Sequence, residues 1–315
     1  MKNVKTLLIF ITISAFMFAT GTRVASLGGN AGYWADDVAS IGAFPKNVNN
    51  HSTAWTDGSD FTSIVNVDGT AWGFAGGSGD DMANVWWGNG TYGVNFGLGM
   101  SPEVLAADDT NDCGDDMAST CVAEANTALN VGFGMDLAGM DFGFAYGMGC
   151  DDCGGGNVGI NLRRAQNIWL FENILVGFGM GMEGDDAAVD PATMDLDLDL
   201  YRNHTYDSGI TSLFGLGFDY GSVGDADPTM GIQWDFAVES DMTDWATLRL
   251  GYSHAYDFAN GGGDDGGLVG GLGFNYGSFN LDMMINTNMF NDPVPYVVGQ
   301  NDDGLGTHWT ISYIW

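Results

Sequence analysis

The stretch Thr307-His308-Trp309-Thr310-Ile311-Ser312-Tyr313-Ile314-Trp315 alternates apolar and polar residues and stops on an aromatic ring. In an extended chain Trp309, Ile311, Tyr313 and Trp315 share one face, and Thr310 and Ser312 share the other. The apolar face needs a cover, which is another subunit, a packed layer or lipid. The same period of two recurs upstream. Tyr92, Val94, Phe96, Leu98 and Met100 oppose Gly93, Asn95, Gly97 and Gly99, and Met140, Phe142, Phe144, Tyr146 and Met148 oppose Asp141, Gly143 and Ala145. Met194, Leu196, Leu198 and Leu200 alternate with Asp195, Asp197 and Asp199, a pattern that a sheet tolerates only if the acidic face is wet.

Composition narrows the class. The 315 residues include 50 Gly and 13% aromatics, and 41 Asp and Glu stand against 8 Lys and Arg. Mean hydropathy is +0.00, as expected where apolar and polar residues alternate and cancel. A hydrophobic content of 45% excludes an acidic disordered chain, and a net charge of -33 excludes a nucleic-acid partner. Residues 1–21 read as a signal peptide: Lys2 and Lys5, an apolar run from Leu7 to Phe18, then Ala19-Thr20-Gly21. No later run is long enough for a spanning helix, so the chain crosses a membrane only as a closed barrel. A soluble sandwich requires one packed inner face and one soluble outer face, whereas here one face is uniformly bulky and the other is Gly, Asn and Asp.

The terminal strand resembles the closing strand of bacterial outer-membrane β-barrels, whose spaced apolar residues and final aromatic are recognised by the barrel-assembly machinery. That resemblance implies outer-membrane lipid around the wall and assigns assembly to Trp309, Ile311, Tyr313 and Trp315. Thr22-Arg23 through Leu27-Gly28-Gly29, then Ala35-Asp36-Asp37 and Phe44-Pro45, is similar to the mature N-terminus of the superfamily of long-chain fatty-acid transporters and type IX secretion barrels. Members use this region as a hatch, which implies a hatch at residues 22–60 and a barrel at 61–315. The expected fold is an all-β, antiparallel transmembrane barrel of about 14 strands, with 16 as the alternative, because such barrels use even numbers.

Counted back from Trp315, long and short connections alternate, which puts the long ones and most Asp-Asp pairs outside and Arg163, Arg164 and Arg202 on the periplasmic side. Asp195, Asp197, Asp199, Asp219, Asp235, Arg249 and Asp282 then line the lumen. A hairpin centred on Met242 sets Arg249 opposite Asp235 as a salt bridge. Cys113, Cys121, Cys150 and Cys153 fall in acidic loops, where export favours disulfides over metal or redox chemistry. Acidic loops can hold Ca²⁺ or Mg²⁺ loosely, but the spacing from Asp108 to Asp116 is not an EF-hand; no metal site and no cofactor are assigned. His51, His204, His254 and His308 form no catalytic constellation, so no enzyme is expected. An electronegative lumen points to passive passage of a small solute. The alternative is a structural barrel that docks a surface or secretion partner.

Overall fold

A computed structural model describes residues 21–77, 82–102, 125–148, 156–183, 191–259, 264–285 and 306–315. The signal peptide, Cys113, Cys121, Cys150, Cys153 and the Asp-Asp pairs of residues 80–81, 108–109, 115–116, 151–152, 185–186 and 302–303 lie outside the described residues.

The wall consists of β1 (Thr53–Thr56), β2 (Asp60–Val67), β3 (Thr70–Gly77), β4 (Ala83–Gly88), β5 (Tyr92–Pro102), β6 (Ala125–Leu137), β7 (Met140–Met148) and β8 (Asn157–Ile168). It continues through β9 (Phe171–Gly181), β10 (Thr193–Thr205), β11 (Ile210–Val223), β12 (Thr229–Thr243), β13 (Ala246–Asp257), β14 (Asp264–Tyr276), β15 (Phe279–Ile285) and β16 (Gly306–Ile314). Each strand pairs with its sequence neighbours, and β16 pairs antiparallel with β1, so the sheet closes on itself. Closure pairs Ile314 with Thr53, and the amide of Trp315 donates to the Ser52 carbonyl at 3.3 Å. The terminal strand therefore has no open edge.

The barrel has 16 strands, the alternative expected beside 14. A strand that the sequence pattern did not show is β1. Its four residues, Thr53-Ala54-Trp55-Thr56, are too few to show a period of two, and they sit inside the range 22–60 read as hatch. Tight turns cluster at the rim near Trp315: Asp68-Gly69, Ala138-Gly139, Trp169-Leu170, Asp244-Trp245 and Gly277-Ser278. At the first of these both residues are left-handed, with φ of 52° and 79°, the geometry that suits a twisted two-residue hairpin. The opposite strand ends, at Pro102 and Ala125, Met148 and Asn157, Gly181 and Thr193, and Ile285 and Gly306, mark the other rim.

Register assigns the faces. Asp199 stands beside Leu175 and Gly217, Gly215 beside Asp235, and Asp235 beside Ser253. The same row parity carries buried Trp86, Ile64, Tyr201, Thr310 and Arg249, which form the inner face. Met194, Leu196, Leu198, Phe218, Phe236, Val238 and Leu250 share the other parity and are exposed. Trp234, Tyr252 and His254 stack on this outer face, with Trp234 and His254 rings 4.4 Å apart.

Candidate functional site on the inner wall

Residues 21–50 pack against the inner wall as a chain of short turns. Helix α1 (Gly21–Ala25) is followed by Gly28 and Gly29 at φ of 103° and 92°, a left-handed path that suits the Leu-Gly-Gly step. Asn30 caps the turn at Ala31–Tyr33 through the Gly32 amide at 2.9 Å. Asp37 caps Val38–Ile41 through the Ala39 amide at 2.9 Å, and Pro45 opens the turn Pro45–Asn50. Helix α1 touches β14, β15 and β16, the last turn touches β2 to β6, and Tyr33 reaches β10 and β12. One segment can meet so many strands of a closed ring only from within.

Two apolar clusters join segment and wall. Val24, Leu27, Tyr33, Trp34 and Phe44 pack with Leu175, Tyr201, Leu213 and Ala237. Val38, Ile41 and Val48 pack with Trp55, Ile64, Ala71 and Trp86. Full burial of a side chain of this size contributes about 1.5–3 kcal/mol. Glycines of the wall let the two backbones approach. A Cβ on Gly143 would collide with the Ala43 carbonyl oxygen, one on Gly93 with the Pro45 carbonyl, and one on Gly251 would lie 2.5 Å from the Leu27 carbonyl carbon.

Charge fixes the remaining contacts. Arg23 donates to both oxygens of Glu239 at 3.0 Å and to Asp37 at 2.6 Å. Glu239 also accepts from Arg249 at 2.6 Å, and Arg249 reaches Asp282 at 2.6 Å. The sequence Asp37, Arg23, Glu239, Arg249, Asp282 thus alternates in sign across segment and wall. Burial alone would pull the Arg23 pKa down; the Glu239 and Asp37 carboxylates outweigh it and raise it above the ordinary value. Arg163 donates to Asp141 at 2.7 and 2.9 Å and to the Gly32 carbonyl at 3.1 Å, with its guanidinium 4.4 Å from the Phe44 ring centre. Lys46 pairs with Asp136. Tyr33 donates to Asp235 at 3.1 Å, and its carbonyl accepts from Asn203 at 2.6 Å. Burial, then the charges of Asp199 and Asp235, push the Tyr33 pKa well up, which keeps the phenol a donor.

The proposed lining residues Asp195, Asp197, Asp199, Asp219, Asp235, Arg249 and Asp282 all share the inner parity. Their partners differ from the sequence expectation in one place. Arg249 stands across from Glu239, and Asp235 across from Ser253, because the hairpin turns at Asp244-Trp245 after an irregularity between Asp241 and Thr243. Asp235 is instead held by Tyr33 and by Gln233 at 3.0 Å. Arg163 belongs to the wall and points inward, since β8 runs on to Ile168 before turning at Trp169-Leu170. The sequence reading missed the contacts of Glu239 with Arg23, of Tyr33 with Asp235 and Asn203, and of Arg163 with the Gly32 carbonyl. Each joins residues more than a hundred positions apart. Beyond Lys2 and Lys5, Arg23, Lys46, Arg163 and Arg249 are committed to these inner contacts, whereas Arg164 and Arg202 face outward and Arg202 pairs with Glu172 at 3.0 Å.

His51 closes the segment, and its Nε2 is buried without a hydrogen-bond partner among the described residues. Burial lowers its pKa from the ordinary 6.5, against the pull of Asp37 and Asp36. The unfolded chain therefore binds this proton more tightly than the folded one. The stabilising effect of neutral His51 is complete above pH 6.5 and is lost as pH falls through 6.5 toward the folded value. Protease cleavage within residues 21–50 should accelerate across that fall, and His51→Gln should flatten the dependence.

These features define a closed sixteen-stranded antiparallel barrel whose inner wall holds its own N-terminal segment. The chain is similar to solved outer-membrane barrels at low identity. A mutant Rh. blastica porin shares 10% identity over 81% of this chain and 86% of that one, with a TM-score of 0.36. A bacterial polysaccharide outer membrane secretin shares 11% over 84% and 96%, with a TM-score of 0.44. Outer-membrane expressed OmpT of Vibrio cholerae shares 12% over 81% and 88%, with a TM-score of 0.40. No protein-family model matches the sequence, and no curated protein matches it.

Proposed function

We propose that the protein is a bacterial outer-membrane barrel that passes a small solute, with preference for cations, and that residues 22–50 act as its hatch. The observation that carries the reading is the acidic arc of the inner wall. Asp195, Asp197 and Asp219 lie toward the rim away from Trp315 and form no ion pair with the described basic residues. Carboxylates that keep their charge along a water path favour cations and repel anions. The outer face supports lipid as the surroundings, being apolar and aromatic on nearly every strand. The N-terminal motif that resembles the fatty-acid transporter and secretion superfamily supports the hatch. Toward that rim the lining is acidic, which supports a polar solute.

The tight seating of residues 21–50 favours one other reading, a non-transporting barrel that docks a surface or secretion partner. Planar-bilayer recording separates the two. Stable cation-selective steps are expected, and Asp195→Asn, Asp197→Asn and Asp219→Asn together should move the reversal potential toward zero. Silence from well-folded protein, with silence persisting after the contacts of residues 21–50 are broken, sinks the channel and leaves the docking barrel.

A further inference from the structure

The ring closes on its shortest strand. β1 has 4 residues, less than half of the about 9–11 usual in a membrane strand. Its ladder to β16 runs only from Thr53 with Ile314 to Thr56 with Ile311, and its ladder to β2 only from Thr53 with Ile64 to Thr56 with Phe61. By contrast, β10 and β11 pair from Thr193 with Val223 to Thr205 with Thr211. The Thr53 hydroxyl adds a bond to the Tyr313 carbonyl at 3.0 Å. A ring gives way where its ladder is shortest, and opening here would leave backbone N–H and C=O groups unpaired on both sides of the seam.

The N-terminal segment backs this strand from within. Trp55 of β1 points inward, is 2% exposed, and packs in one cluster with Val38, Ile41 and Val48 of the segment and with Ile64 and Trp86 of the wall. Gly73 of β3 makes room for the flanking residues: a Cβ there would lie 3.0 Å from the Trp86 ring and 3.3 Å from Ile64. The Trp55 indole N–H has no hydrogen-bond partner among the described residues, so apolar contact is what fixes the ring. Inner positions further along the wall differ in kind, being Gly93, Asn95 and Gly97 on β5 and Gly132 and Gly134 on β6. Bulky rings turn inward at β1 to β4 because the segment covers them. The start of the segment meets the far side of the seam, where the Thr22 and Thr310 hydroxyl oxygens are 2.8 Å apart.

We propose that the N-terminal segment has a second task, as the clasp of the barrel. Val38, Ile41 and Val48, packed on Trp55, hold β1 in the ring, and the seam between β1 and β16 is the first to open when they are lost. The clasp rests on closure of the wall and not on conduction, so a barrel that passes no solute needs it equally.

Backbone hydrogen exchange of the full-length protein, purified from membranes in detergent and followed by mass spectrometry, tests this. Ile41→Ala with Val48→Ala should speed exchange at residues 53–56 and 311–314 by about 30-fold or more, the loss typical when buried side chains of this size are cut back. Residues 213–217 and 233–237, on β11 and β12, should stay close to wild type. Leu213→Ala, a cut of similar size in the other apolar cluster, should leave the seam slow. Adding Thr56→Cys with Ile311→Cys, which are ladder partners, should restore slow exchange at the seam when oxidised and lose that protection when reduced. Should the double variant fail to fold, Ile41→Val decides, with an expected rise of about 2- to 10-fold at the same residues. Wild-type exchange at the seam, an equal rise on β11 and β12, an equal rise with Leu213→Ala, or no recovery on oxidation overturns the clasp. Bilayer recordings of the same samples report conduction separately, and silence there with a fast seam sinks the channel while leaving the clasp in place.

Discussion

Replacing Glu239 with alanine should loosen residues 21–50 by about 3–5 kcal/mol, the cost of leaving buried charges short of a partner. Glu239 is the only carboxylate among the described residues that bridges Arg23 of the segment and Arg249 of the wall. Without it Arg23 keeps Asp37 and Arg249 keeps Asp282, so two positive charges remain inside with half of their compensation. Proteolysis within residues 21–50 should accelerate about 100-fold or more, since 1.4 kcal/mol is a factor of ten in an equilibrium. The wall should keep its heat-modifiable migration because its ladder is untouched. Glu239→Gln, which retains an acceptor but not the charge, should fall between the two. Wild-type resistance in Glu239→Ala would show that the ion chain is not what seats the segment.

A second large effect is expected where no charge is involved. Gly143→Val puts a Cβ against the Ala43 carbonyl oxygen, and Gly93→Val does the same at Pro45. These are backbone atoms, which cannot rotate out of the way as a side-chain tip can. Overpacking of this kind costs about 1–3 kcal/mol or more, and here the relief available is displacement of the whole segment. Both variants should release residues 21–50 to protease and, under the proposed channel, raise bilayer conductance. Gly159→Val is the matched control: it faces the same lumen on β8, but its added Cβ meets only the Ala145 Cβ at 3.9 Å. If Gly159→Val behaves like Gly143→Val, the effect comes from the strand and not from the contact.

How much of the site was legible depends on the range over which its chemistry acts. Asp195, Asp197, Asp199, Asp219, Asp235, Arg249 and Asp282 could be placed on one face because side-chain direction alternates residue by residue. The Arg249 partner could not, since a two-residue error in the turn slides every pair along the hairpin. Arg23 and Asp37 were visible as parts of a motif, but nothing near them in sequence names Glu239. Arg163 looked like a periplasmic loop residue because the alternation of β8 breaks between Ala165 and Ile168, where the ladder is irregular.

The sequence by itself determined an alternating, antiparallel all-β wall and its two faces, because both follow from a period of two and from tight-turn chemistry that act within a few residues. The terminal run Trp309, Ile311, Tyr313, Trp315 already required a partner strand. Only the tertiary structure decided that this partner is the four-residue β1, that the strands number 16, and that Arg23 and Tyr33 meet Glu239 and Asp235. Those outcomes depend on closure of the ring and on contacts about two hundred residues apart, which a local pattern does not encode.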